Sequence, residues 1–168
     1  MTRSPYFLLA SAAVGTLALG ACNPFRSPFK QAPVVQVSTR DANANARWSG
    51  TLASPASLVG AVQMHGSAAM TPGSNGGNTN VSIDLSNASP GGVHPWQLRH
   101  GQCGQDSGVF GMADAYKSLT VDAQGRASSS VTVPLVMPTE GRFYVSVAAS
   151  AANPETIVAC GNLAAPSR

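Results

Sequence analysis

Short stretches of alternating residues, separated by turn signals, constrain the fold of this chain more than any other feature of its sequence. The clearest runs from Asn80 to Leu85, where apolar and polar residues alternate. Successive side chains of a β-strand point to opposite faces, so this pattern predicts a strand with one buried face. Comparable stretches run over Arg47 to Ala53, Leu58 to Ala69, Ala127 to Val136 and Arg142 to Ala149. Repeated short strands with turns between them predict an all-β sandwich or barrel.

The segments between these stretches predict how they connect. Pro138 to Gly141 is a turn signal, so the two stretches on either side of it are expected to pair as a hairpin that forms the second sheet of the sandwich or part of it. The glycine-containing segment from Gly104 to Asp114 shows no regular periodicity. We expect that segment to be a loop.

Composition supports one strand-rich domain and argues against several functions. The 168 residues suffice for a single buried core, and only 10% of them are charged. A net charge of +3 without a cluster of Lys and Arg offers no surface for nucleic acid. The chain has no Gly-x-Ser-x-Gly motif and no glycine-rich phosphate loop, and its seven carboxylates are scattered. No acid/base pair or serine nucleophile is therefore predicted.

The first 21 residues are typical of a targeting signal. Arg3 is followed by an apolar stretch from Tyr6 to Leu19, too short to span a membrane as a stable helix, and by small residues before Cys22. This pattern resembles a bacterial lipoprotein signal, which implies removal of residues 1–21 and anchoring in the lipid bilayer through acylated Cys22. Asn23 favours the outer membrane of the cell envelope, with the domain facing the periplasm or the cell surface.

Residues 22–46 are expected to be a tether, because three prolines between Cys22 and Val34 prevent both helix and central strand. The alternative for the front end is an ordinary secretory signal cut nearby, which would leave Cys22 as a plain thiol. In both cases the folded domain is expected to cover residues 47–168.

The stretch from Gly92 to Cys103 carries the most specific pattern in the chain. If it is extended, Trp96 and Leu98 point into a core, while Gln97 and Arg99 share the opposite face. Two imidazoles at those two positions would present their nitrogens to one metal ion. Here the positions hold an amide and a guanidinium.

Two cysteines remain in the domain once Cys22 is assigned to the anchor. Cys103 and Cys160 form an even pair in an oxidising compartment, so a disulfide is predicted. A metal site built on both thiols is the alternative.

The central stretch resembles the copper-ligand strand of the copper/zinc superoxide dismutases, Gly-x-His-Gly-Phe-His-x-His followed by Gly-x-Cys. The matching positions are held by His94, Trp96, Gly101 and Cys103. The segment from Ile157 to Gly161 resembles the family's terminal Ala-Cys-Gly segment. This resemblance extends from about Arg47 to Leu163, with long gaps, and implies a Greek-key immunoglobulin-like β-sandwich/barrel of the copper/zinc superoxide dismutase type.

The same resemblance implies that the metal sites are lost. Gln97, Arg99 and Ala148 stand where the family has copper-binding histidines, and Ile157 stands where it has an arginine that guides superoxide. Glutamine is a poor copper ligand, and the permanent charge of arginine opposes a cation. The segment that matches the zinc loop, Gly104 to Asp114, contains no histidine. No cofactor is therefore expected, and the alternative is copper or zinc.

Three functional hypotheses follow, and the first treats the chain as a structural or interaction module with a protein partner in the envelope. The second is a superoxide dismutase or copper-binding protein with a relocated or residual metal site on His65, His94 and His100, together with Met64, Met70 or Met112. In that comparison His94 matches a structural histidine of the family. The third is a small-ligand binder that uses the vacated cleft. The sequence leaves enzymatic activity and oligomeric state open.

Overall fold

The computed structural model describes residues 46–58 and 63–166. The predicted signal segment, Cys22 and the tether up to residue 45 lie outside this part of the chain. Within it no helix is long and apolar enough to cross a membrane. The described residues form ten strands, β1 to β10, at Trp48–Ala53, His65–Pro72, Thr79–Ser86, Val93–His94, Trp96–Gln102, Gln105–Val109, Leu119–Thr120, Ala127–Val133, Phe143–Ser150 and Asn153–Leu163. Two short 3₁₀ helices lie at Ala56–Leu58 and Ala113–Ala115.

Eight of these strands form one antiparallel sheet in the order β6-β5-β9-β10-β1-β2-β3-β8. The remaining two, β4 and β7, pair with each other as a small separate sheet. The all-β class predicted from the alternating stretches is therefore confirmed. The two layers expected of a sandwich belong to a single continuous sheet.

The two ends of the large sheet approach each other. β6 and β8 are its outermost strands, yet Gly111, just after β6, lies against the side chain of Val133 at the end of β8. A flat sheet of eight strands would hold its outer strands about 34 Å apart, because neighbouring strands are about 4.8 Å apart. The sheet is therefore curled into a half-barrel.

One apolar cluster fills the inside of this curl. Trp48 of β1 meets Phe143 of β9 edge-on, with the ring centroids 5.2 Å apart. The indole N–H of Trp48 donates to the carbonyl of Pro138 at 2.9 Å, and that of Trp96 donates to the carbonyl of Lys117 at 2.8 Å. Both tryptophans can be fully buried because their only polar atom has a partner.

The hairpin predicted across Pro138 to Gly141 is wrong. β8 pairs with β3, and β9 lies between β5 and β10, so the two stretches are not neighbours in the sheet. Alternation predicted the more buried face of β8 correctly, and in β9 it separated the core residues from those on the other face, which is buried as well. It carries no information about the partner strand, which depends on contacts distant in sequence.

The segment expected to be a loop after Cys103 contains β6. This strand pairs with β5. Gly104, in the turn between them, has a φ of 81°, and Gly101, beside an irregularity in the pairing near the end of β5, has a φ of 100°. Such positive φ values suit glycine, which has no Cβ to clash. β6 is thus held by backbone pairing with β5 and by a turn that glycine allows. Neither requires apolar residues to alternate, so the sequence did not reveal this strand.

Other strand boundaries differ modestly from the predicted ones. β1 and β3 match the expected stretches within one residue at each end. β8 ends at Val133, because Pro134 has no N–H to donate to a neighbouring strand. β2 begins at His65 instead of Leu58, after a 3₁₀ helix and residues 59–62, which lie outside the described part.

The predicted disulfide between Cys103 and Cys160 is confirmed. Cys103 lies just after β5 and Cys160 lies on β10, so the bond joins two parts of the sheet that have β9 between them. The N–H of Cys103 also donates to Oδ1 of Asn162 at 2.8 Å. The turn after β5 is therefore fastened to β10 twice.

We expect the paired replacement Cys103→Ala and Cys160→Ala to lower the free energy of unfolding by about 4 kcal/mol. The bond joins residues 57 apart in sequence, and closing a loop of that length restricts the unfolded chain by about this amount. Guanidinium unfolding of the full chain measures the loss, and Cys22→Ala serves as the control because Cys22 takes no part in the bond. An unchanged unfolding midpoint in the double variant would contradict the expectation.

Folding strongly alters the ionisation of Tyr116. Its hydroxyl donates to the carbonyl of Phe110 at 2.6 Å, and its ring meets Trp96 edge-on with centroids 5.1 Å apart. Burial raises the pKa of this hydroxyl well above its ordinary value, because the phenolate would lose its hydration.

Tyr116 should therefore contribute to a loss of stability in alkali. As the pH rises above about 10, the unfolded chain releases this proton while the folded protein keeps it, so the free energy of unfolding falls. We expect Tyr116→Phe to reduce this alkaline decline, and to cost about 1–3 kcal/mol at neutral pH because the Phe110 carbonyl loses its donor. Unfolding measured at pH 8 and pH 11 separates the two effects. An alkaline decline of unchanged size in the variant would assign it to other groups.

Candidate functional site

The central stretch forms β5 with the two faces that the sequence predicts. Trp96 and Leu98 are 1% and 0% exposed in the core, whereas Gln97 and Arg99 are half-buried on the opposite face. That opposite face lies outside the curl of the sheet. Gln97 and Arg99, which the resemblance matches to copper-ligand positions, therefore lie on the outer surface of the half-barrel.

The register of the sheet places these residues in rows across neighbouring strands. Arg99 pairs with Val109 on β6 and with Tyr144 on β9, which puts a guanidinium between an aliphatic and an aromatic side chain. In the next row Gln97 pairs with Ser146 of β9. Both rows continue onto β10, so four strands contribute to one surface.

Ala148, the third matched copper position, lies one row further along β9. It pairs with Ile157 of β10, and its N–H donates to the carbonyl of Pro95 at 2.8 Å. Ile157 stands where the resemblance places a superoxide-guiding arginine. The register thus gathers all the matched positions, from Arg99 to Ile157, on one face of adjoining strands.

These residues form the floor of an open cleft with a volume of about 950 Å³. Its sides come from the end of β1, the turn after β5 and the hairpin between β9 and β10. Pro55, Pro154 and Glu155 lie on the sides, and both disulfide cysteines also border the cleft. The cleft is therefore bounded by segments fastened to one another by a covalent bond.

Polar groups are few on this surface. Nη1 of Arg99 donates to Oε1 of Gln97 at 2.7 Å, so the two side chains are oriented by each other. Ser146 adds a hydroxyl although the residue is only 6% exposed. Glu155 carries a carboxylate on the exposed side of the cleft.

The residues at the matched positions do not fit a copper ion. These positions hold an amide, a guanidinium and a methyl group where the resemblance would place imidazoles, and a guanidinium is permanently positively charged. Across residues 46–58 and 63–166, no group of three or more His, Cys, Asp or Glu is placed to hold a metal ion.

The three histidines of the relocated-site hypothesis do not form such a group. His65 is exposed at the start of β2, His94 is buried on β4, and His100 lies near the end of β5. The ring of His100 packs against Phe110 and Phe143, with centroids 5.7 and 5.2 Å apart. Of the methionines considered with them, Met64 and Met70 are buried and Met112 is exposed.

His94 supports the cleft floor from inside. Its Nδ1 lies 3.1 Å from the carbonyl oxygen of Ala148, and its other ring nitrogen is enclosed by the turn that contains Gly92. A Cβ added to Gly92 would lie 2.8 Å from that nitrogen, so only glycine leaves room for the ring. This is the geometry expected of a structural histidine.

Several cleft residues were not identified from the sequence. Tyr144 and Ser146 alternate with core residues, so their face was predictable, but a strand buried on both faces was not expected. Val109 belongs to a strand that the sequence did not reveal. Pro154 and Glu155 lie in a hairpin whose position depends on β9 pairing with β10.

A scan against protein-family models finds no match to this chain. A search of curated proteins likewise finds no sequence that matches it. The site is therefore defined by its geometry and by the chemistry of its residues.

Proposed function

We propose that this chain is a metal-free binding module of the bacterial cell envelope, held to the outer membrane by acylated Cys22. Its domain, residues 47–168, would be a superoxide dismutase-like β-barrel that has lost its metal sites. The observation that carries this proposal is that Gln97, Arg99 and Ala148 lie on one cleft and offer no imidazole to it.

The strand order supports the superoxide dismutase-like part of the proposal. β3 lies beside β8, β5 beside β9 and β10 beside β1, so long connections cross between strands that are not consecutive. Such crossings are typical of Greek-key sheets. The disulfide at Cys103 and Cys160 and the outward face of β5 add to the likeness on which the resemblance rests.

The chemistry of the cleft supports binding instead of dismutation. Superoxide dismutation needs a metal that cycles between two oxidation states, held by donors that accept both. A permanent cation at Arg99 repels such an ion, and Ala148 supplies no donor at all. The cleft still has the volume and the mainly apolar lining, with a few polar groups, that small-molecule sites usually have.

We expect the protein refolded with copper and zinc to hold no stoichiometric copper and to show no superoxide turnover. Metal analysis after dialysis, paired with a superoxide assay, measures both, and a copper/zinc superoxide dismutase refolded in parallel is the positive control. Stoichiometric copper together with turnover would overturn the proposal.

Restoring imidazoles should restore copper binding if the cleft occupies the place of the family's copper site. Positions 97 and 99 share one face of β5, and position 148 lies diagonally across from 97 on β9 at about 7–8 Å. We expect the triple variant Gln97→His, Arg99→His and Ala148→His to bind one Cu(II) ion, as measured by calorimetry and visible absorption.

A matched control places two histidines at the same spacing without a third. Ser128→His with Ser130→His does this on the exposed face of β8. The triple variant should bind Cu(II) at least tenfold more tightly than this pair. If the folded triple variant binds Cu(II) no more tightly than this pair, the cleft does not correspond to the family's copper site.

A further inference from the structure

Two aliphatic side chains are exposed just after β8. Leu135 and Val136, called the aliphatic pair from here on, are 43% and 68% exposed. β8 ends at Val133, because Pro134 has no N–H for a neighbouring strand. If the strand continued, Leu135 would lie on the core face with Val133, since side chains two residues apart share a face. The end of the strand thus leaves outside the core a side chain that continued alternation would bury.

The segment that carries the aliphatic pair is held in place on both sides. The hydroxyl of Thr79, a fully buried residue, donates to the carbonyl of Leu135 at 2.7 Å. The indole N–H of Trp48 donates to the carbonyl of Pro138, and Met137 is buried in the apolar cluster. The aliphatic pair therefore projects from a segment that the fold has already ordered, so docking it on a surface costs little further entropy.

The register of the sheet places this segment beside the start of β1. Trp48 pairs with Met70 near the end of β2, and the turn to β3 follows. Thr79, at the start of β3, pairs with Val133 at the end of β8. The aliphatic pair therefore lies at the end of the sheet where β1 begins, which is where residues 22–46 join the domain. We call this the entry end of the domain.

The proposed anchor favours contact between the entry end and the bilayer. Between Cys22 and Trp48 stand 25 residues. A flexible chain of that length spans about 25–30 Å on average, and a globular domain of this size is about 35 Å across. The entry end of an anchored domain is thus the part that reaches the lipid most readily. Lipid is for this reason the partner that the aliphatic pair meets at the highest effective concentration.

The charged residues at the entry end suit a headgroup region. Arg47 directly precedes Trp48, and Arg142 follows the turn after Pro138; both arginines are exposed. Glu140 is the acidic residue of that turn and is exposed as well. Aliphatic side chains that enter the acyl boundary of a bilayer gain from burial, while arginines beside them stay with anionic headgroups. The combination fits the surface of a bilayer that contains anionic lipid.

We propose that the aliphatic pair is a second, non-covalent contact between the domain and the bilayer that holds acylated Cys22. This inference rests on the anchoring in the proposed function and adds the face by which the domain lies on the lipid. The last residues of β1 and the hairpin between β9 and β10 border the cleft at the opposite end of the sheet. Docking through the entry end therefore keeps that part of the cleft turned away from the bilayer.

The test places an environment-sensitive nitrobenzoxadiazole label at position 136 of the full, processed chain, through Val136→Cys. Cys103 and Cys160 are bonded and Cys22 would be acylated, so the introduced thiol takes the label. In vesicles of phosphatidylethanolamine and phosphatidylglycerol, lipid with a nitroxide near the top of its acyl chains should quench this label at least threefold more than a label at Val93→Cys. Val93 is the matched position, because it is 53% exposed and precedes β5 at the opposite end of the sheet.

A charge within the aliphatic pair should abolish the contact. Leu135→Asp in the chain labelled at 136 should reduce quenching to the level seen at position 93, because a carboxylate resists entry into apolar lipid. Val93→Asp in the same labelled chain makes an equal change at the opposite end and should leave the quenching at 136 unchanged. Both changes fall on exposed side chains, and guanidinium unfolding verifies that each variant is folded.

Each outcome decides the inference. Equal quenching at 136 and 93, or quenching at 136 that survives in folded Leu135→Asp, would overturn it. Blue-shifted emission at 136 without quenching by lipid would assign the aliphatic pair to a protein surface, such as a second copy of the chain, and would also overturn it.

Mass spectrometry of Cys22 judges the anchor separately. An acylated chain without quenching at 136 defeats the docking alone, whereas an unmodified Cys22 defeats the anchor and the docking with it. The metal-free function is judged by the copper and superoxide measurements, so it can stand or fall independently of both.

Discussion

The register of β9 is the constraint on which both the core and the cleft depend. Six consecutive residues from Phe143 to Ala148 are buried, which means that the strand is covered on both faces. Its core face carries Phe143, Val145 and Val147, and its outer face supplies Tyr144, Ser146 and Ala148 to the cleft. A slip of one residue against β5 would exchange the two faces, placing Ser146 in the core and Val147 in the cleft. Residues on both faces of β9 therefore specify its register against β5.

The cleft is held in shape by contacts on each side of β9. On the outer face the disulfide fastens the turn after β5 to β10, which fixes two borders of the cleft relative to each other. On the inner face His94 contacts the carbonyl of Ala148 and fits only because residue 92 is glycine. A site whose borders are held in this way can be formed before a ligand arrives, and binding then costs less ordering entropy.

The residue at position 99 bears on whether a metal ion fits this geometry. An imidazole there would present a neutral donor to a cation, whereas a guanidinium presents only N–H donors and a fixed positive charge. Nη1 of Arg99 donates to Oε1 of Gln97, so this contact orients both side chains. The fold depends on the core face of β5, whereas the chemistry of the cleft depends on its outer face.

The sequence by itself determined the local features of this protein. Alternation in Gly92 to Cys103 was enough to separate the core residues Trp96 and Leu98 from the cleft residues Gln97 and Arg99, and two cysteines sufficed for the disulfide. Only the tertiary structure decided that β8 pairs with β3, that β6 exists, and that Ile157 and Pro154 join Arg99 around one cleft. The reason is that side-chain alternation follows from the geometry of a single strand, whereas pairing depends on backbone hydrogen bonds between distant segments. Those bonds are available to nearly every residue type and leave no pattern in the sequence.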